Sequence, residues 1–146
     1  MSPSSSPRAD RVQGLLIALI GIVLLAIAGY LISERHGFLS HAQRVPGVVK
    51  ALNAGGSHPQ IEFTTTGGES VSYPQGGMIY GYQVGQPVEV FYQTEKPGAL
   101  AVINDAGALW GTPALVGLIG LIFALAGLLK FSRGQKQPLA SSLKGL

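Results

Sequence analysis

Two long apolar runs bracket a polar, turn-rich middle, and nothing else in the chain constrains its fold as strongly. The first extends from Gly14 to Ile32 and the second from Pro113 to Leu129; neither contains a charged residue. A helix crosses a hydrocarbon layer of roughly 30 Å with about 20 apolar residues, and about 17–25 are tolerated. Both runs fit. They predict transmembrane helices at 13–32 and 113–131, a folded module at 33–112, a disordered cytoplasmic tail at 1–12 and a basic cytoplasmic tail at 132–146. The module has about 80 residues, near the lower limit for a self-supporting core, so tethering at both ends helps it.

Charge sets the expected orientation. Arg8 and Arg11 precede the first run, and Lys130, Arg133, Lys136 and Lys144 follow the second. The inner ends carry only Arg35 and Arg44, both after the first run. Cytoplasmic flanks hold the excess of Lys and Arg. Both termini are therefore expected in the cytoplasm of a bacterium and the module outside its inner (plasma) membrane. The alternatives are an inverted topology and a cleaved signal peptide ending near Ala26-Ile27-Ala28. The first run is longer than a usual signal core and continues through Tyr30-Leu31-Ile32, which favours an anchor.

The basic pI of about 9.4 does not imply a nucleic-acid partner. Within the module, Arg35, Arg44, Lys50 and Lys96 face Glu34, Glu62, Glu69, Glu89, Glu95 and Asp105, so no concentrated basic face is present. The absence of cysteine excludes thiol catalysis, disulfide staples and cysteine-based metal sites.

The middle reads as a small all-β module of about five antiparallel strands, barrel- or sandwich-like, giving a membrane α+β fold class. Val45–Leu52 is a candidate first strand, and 54–59 is a turn. Gln60–Thr64 and Glu69–Tyr73 alternate apolar and polar residues around a hairpin turn at Thr66-Gly67-Gly68. Pro74–Gln86 is a glycine-rich excursion. Pro87–Gln93 is the clearest strand, and Ala99–Ile103 closes the module. Thr112-Pro113 matches a helix cap followed by proline at the first helical position, with Trp110 at interfacial depth.

The stretch from Tyr82 through Gly85, Val88, Val90 and Tyr92 to Pro97 and Ala99 resembles the bacterial domain of unknown function 3592 family. Gly47-Val48 and Phe63 with Gly67-Gly68 add to the resemblance, which spans roughly Gly14 to Leu129. It implies two membrane helices around a β module. It implies no activity and no functional residues.

No residue pattern points to catalysis, a metal or a cofactor. His36 and His41 are spaced for neither a helix face nor strand alternation, and His58 sits in a turn. Glu62 and Glu89 read as solvated strand residues rather than an acid–base pair. The unusual cluster is aromatic. Val88 and Tyr92 are expected to face the core, which places Phe91 on the opposite face beside Tyr80 and Tyr82. These three residues are the candidate partner-binding patch. In the apolar runs, Gly14, Ala18 and Gly21, and Gly117, Gly120, Ala124 and Gly127, recur at helical spacing. Such residues let helix backbones approach closely, against each other, a partner helix or a second copy; Gly107 and Ala108 are a further small position. Neither run holds an Asp, Glu, Lys, Arg or His, so transport through them is not expected.

The sequence thus predicts a non-enzymatic membrane protein that presents a β module to a protein partner or envelope component. The alternative is an accessory subunit acting through its small-residue helix faces. A membrane-bound enzyme is the third and weakest reading.

Overall fold

The structure, a computed structural model, describes residues 6–53 and 58–143, with side chains as far as Gln135. Of the turn expected at 54–59, residues 54–57 lie outside the described residues, as do the extreme tails, and His58 and Pro59 belong to a strand. The element order is α1 (Pro7–His41), β1 (Gln43–Asn53), β2 (His58–Thr64), β3 (Ser70–Pro74), β4 (Pro87–Tyr92), β5 (Val102–Ile103) and α2 (Ala106–Leu143). The chain divides into a helical unit, up to Gly29 and from Leu115 onward, and a mixed unit, Tyr30–Ala114.

Both helices exceed the apolar runs, because polar residues supply ends that hydropathy does not register. The Ala9 amide donates to the Ser6 hydroxyl at 3.3 Å, with Pro7 at the first helical position. Residues 7–12 are therefore helical and not a disordered tail. At the other end of α1, the Ser40 hydroxyl donates to the Gly37 carbonyl at 2.8 Å. Helix α2 begins at Ala106, capped by Asp105, whose Oδ1 accepts from the Gly107 amide at 2.7 Å and the Ala108 amide at 3.2 Å. Pro113 is inside the helix, so the expected start at Thr112-Pro113 gives way to the carboxylate cap. The helix continues to Leu143 through most of the expected tail.

In the helical unit the two helices run antiparallel along their small residues. A methyl group on Gly14 would lie 2.6 Å from the Phe131 amide nitrogen, and one on Gly120 would lie 3.0 Å from the Gly21 carbonyl oxygen. Gly21 abuts the Ala124 backbone and Gly127 abuts that of Ala18. Gly117 is looser, with 3.5 Å to the Ala28 methyl. The seam ends in polar ties: Lys130 Nζ is 3.6 Å from Asp10 Oδ1, and Arg11 Nε donates to the Gly134 carbonyl at 3.0 Å. Leu15, Leu19, Val23, Leu118, Leu121 and Leu125 face outward and are exposed.

In the mixed unit the five strands form one antiparallel sheet in the order β3-β2-β1-β4-β5. Alternation places Ile61, Phe63, Val71, Tyr73, Val90 and Tyr92 in the core. Phe63 packs at a tilt against Tyr92, 5.2 Å between ring centroids, and meets Tyr73 edge-on at 6.0 Å. The last turn of α1 adds Phe38 and Leu39, and the first turn of α2 adds Ala108 and Leu109.

The sheet is open, neither a closed barrel nor a two-sheet sandwich, because β5 has only two residues. One side chain bridges its two edges. Buried Gln75 accepts through Oε1 from the Tyr73 hydroxyl at 2.9 Å and from the Ile103 amide at 2.8 Å. That amide belongs to an edge strand, and the glutamine supplies the acceptor that a sixth strand would otherwise provide.

Candidate partner-binding surface

The glycine-rich excursion between β3 and β4 is fixed at several points. Its glycines at 77, 81 and 85 have positive φ, and Gly77 lies so close to α2 that a methyl group there would sit 2.8 Å from Ala108 Cα. The Met78 amide donates to the Gly107 carbonyl at 3.1 Å, and the Gly85 amide donates to the Val49 carbonyl at 2.8 Å. Met78 packs its side chain on Gly111, while Ile79 enters the core. Gly107 and Ala108, the small pair read as a further helix-contact position, are taken up beneath this loop.

The three aromatics expected as one patch have three different fates. Tyr80 stands out from the loop and is 78% exposed, flanked in sequence by exposed Met78 and Val84. Tyr82 turns back and donates its hydroxyl to Asp105 Oδ2 at 2.7 Å. Burial and this carboxylate push the Tyr82 hydroxyl up to about 12. Burial works in the opposite sense on Asp105, but the Tyr82 hydroxyl and the Ala108 and Gly107 amides hold its carboxyl below the usual range. Phe91 is buried, which removes it from any exposed patch. Its same-face neighbours are Arg44 on β1 and Val102 on β5, and the Arg44 guanidinium lies 5.0 Å above its ring. An inner strand can thus bury both faces, and alternation within β4 alone could not reveal this.

The remaining polar candidates are individually engaged. Glu62 pairs with Lys50 at 3.1 Å and Glu89 with Arg44 at 3.4 Å. His36 packs against Trp110, and the His41 ring lies 3.0 Å from the Gly37 carbonyl. Among the described residues no three His, Asp or Glu side chains cluster as metal ligands.

The loop between β3 and β4 holds Tyr80 toward solvent. Comparison with known proteins gives the class of the chain. Immune protein Tsi4 of Pseudomonas aeruginosa is 53% identical over 122 residues, covering 81% of this chain and 84% of that protein. This chain belongs to the family of that immune protein. It has an interaction role with a protein partner and is not an enzyme. No family model matches the chain. No solved structure matches it.

The family assignment corrects the resemblance to the domain of unknown function 3592 family. Its shared features are local hairpin grammar: a positive-φ turn at Gly85, a Pro97-Gly98 turn, and Gly47 where a methyl group would meet Val90 Cγ2 at 2.8 Å. Any small antiparallel meander needs such positions, so their order does not identify a lineage.

Proposed function

We propose that this chain is a membrane-anchored immunity protein that binds a toxin and so protects the cell that makes it. The kinship to an immune protein supports the protective role. The observation that carries the mode of binding is Tyr80, which projects from a loop pinned to both α2 and β1. A rigid exposed tyrosine supplies a large contact area at little entropic expense, as binding hot spots do.

Both helices are long and apolar enough to cross a membrane. In this reading they span the bacterial inner membrane with both termini cytoplasmic. The outward-facing leucines and the basic flanks support this placement. The β module then meets its partner outside the cytoplasm. The small-residue faces pack against each other within the chain, which leaves the accessory-subunit alternative without its proposed surface.

The test is a mixed culture of the parent bacterium with a strain lacking this chain. The deleted strain is expected to be killed or outgrown by its parent. The full chain should rescue it, and Tyr80→Ala should not, although the variant remains in the membrane fraction. Equal growth of deleted strain and parent would overturn the immunity reading. Rescue by Tyr80→Ala would overturn the role of the loop.

A further inference from the structure

The mixed unit contains a groove of about 690 Å³ between the end of α1, the start of α2 and the loops at 75–77 and 99–102. That volume lies within the range of about 300–1,000 Å³ usual for small-ligand sites. Leu31 and Pro113 line the groove beside the apolar runs, Glu34 and Arg35 follow about one turn further along α1, and Phe38 lies beyond them. Adjacent helix residues do not face each other, so both charges line the groove without pairing. Arg35 has no ion pair among the described residues, and its guanidinium lies 5.9 Å from the centre of the Phe38 ring. Partial burial of the half-exposed guanidinium lowers its pKa.

The position of the groove narrows the ligand. Arg35 comes three residues after Ile32, the end of the first apolar run, or about 4.5 Å of helix rise. Pro113 opens the second run. If the runs span the bilayer, as the proposed function holds, Glu34 and Arg35 lie at headgroup depth while Leu31 and Pro113 adjoin the acyl chains.

We propose that the groove seats the headgroup of a zwitterionic phospholipid bearing a primary ammonium, a phosphoethanolamine. The Arg35 guanidinium takes the phosphate through charge-assisted hydrogen bonds, and the Glu34 carboxylate accepts from the ammonium. An anionic headgroup leaves Glu34 facing a glycerol, and a choline offers that carboxylate no N–H to accept. An acidic side chain of a protein partner would satisfy Arg35 alone.

The experiment is native mass spectrometry of the full chain in detergent, with phosphatidylethanolamine, phosphatidylcholine or phosphatidylglycerol added. Phosphatidylethanolamine is expected to be retained about tenfold more than either competitor, the effect of one charged hydrogen bond. Arg35→Gln should abolish that retention, and Arg35→Lys should keep part of it. Glu34→Gln, at an exposed position, should reduce phosphatidylethanolamine to the level of phosphatidylcholine. Equal retention of the three lipids by the unaltered chain, a preference for phosphatidylglycerol, or selectivity surviving Glu34→Gln would each overturn the proposal. Carbonate extraction of cell membranes separates the two possible failures. A chain washed out by carbonate overturns the membrane reading itself, whereas a retained chain without lipid selectivity overturns the headgroup site alone.

Discussion

The Tyr82 hydroxyl and the Asp105 carboxylate meet at 2.7 Å, and this contact ties the exposed loop to the cap of α2. One carboxylate therefore serves two structures, with Oδ2 holding the loop and Oδ1 holding the first helical turn. Asp105→Ala should lower stability by about 1–2 kcal/mol, the usual effect of losing a cap, and should also loosen the loop. Asp105→Asn keeps a capping oxygen and should do less harm. Chemical denaturation of the detergent-solubilised chain would measure both.

The same pair predicts a pH response at each extreme. The Asp105 carboxyl is lowered in the folded chain, so its stabilising effect is present above the ordinary carboxylate pKa and lost as pH falls through the lower folded value. The Tyr82 hydroxyl is raised from 10.0 to about 12, so its contribution is complete below 10.0 and disappears as pH rises toward 12. Melting temperatures across pH should show both losses in the unaltered chain. Tyr82→Phe should reduce the alkaline one, leaving the part due to the Tyr73 hydroxyl, which burial also raises.

Gln75→Leu should be among the most damaging changes of similar volume. It leaves the Tyr73 hydroxyl and the Ile103 amide without their acceptor in a buried setting, at about 1–3 kcal/mol for each unsatisfied group. Gln75→Glu keeps the acceptor but buries a charge and should also destabilise. Hydrogen exchange at the Ile103 amide, faster in Gln75→Leu than in the unaltered chain, would locate the effect.

The glycines of α1 should divide into two kinds. Gly21→Leu drives a side chain into the Ala124 backbone and should cost about 1–3 kcal/mol or part the two helices. At Gly29 a methyl group meets nothing within 4 Å. Gly29→Ala should therefore stabilise the helix by roughly 0.5–1 kcal/mol through propensity alone. Thermal unfolding in one detergent compares the two directly.

Phe91 and Tyr80, equals in a sequence reading, should part in the laboratory. Phe91→Ala opens a cavity in the core and should cost about 3–5 kcal/mol. Tyr80→Ala should leave the melting temperature within about 2 °C, since surface changes usually stay within ±0.5 kcal/mol. A Tyr80→Ala chain that melts far below its parent would show the loop to be structural.

What the sequence revealed depended on which interaction governed each element. Strands β2 and β3 were legible within a residue or two because apolar alternation is set by burial on one face, and β4 was legible from its run of β-branched and aromatic residues. The close approach of the helices was legible from small residues at helical spacing. Helix ends were not, because Ser6 and Asp105 act through single hydrogen bonds that leave no periodic trace. The fates of Tyr82 and Phe91 depended on partners 23 and 47 positions away, Asp105 and Arg44, and no local pattern encodes such distances. Gln75 was missed for the same reason: a glutamine in a glycine-rich loop looks solvated until the fold brings β5 to it.

The bridge at Gln75 has a consequence for how recognition can change over generations. At Ile103 the outer amide is already occupied, so an incoming chain cannot use it to join the sheet. Backbone-to-backbone docking would have tolerated almost any sequence in the visitor. In the proposed immunity role, with that route closed at this edge, discrimination would fall to exposed side chains such as Tyr80, which change one substitution at a time. A small set of loop positions could then diverge in step with an adversary while the sheet beneath them stays constant.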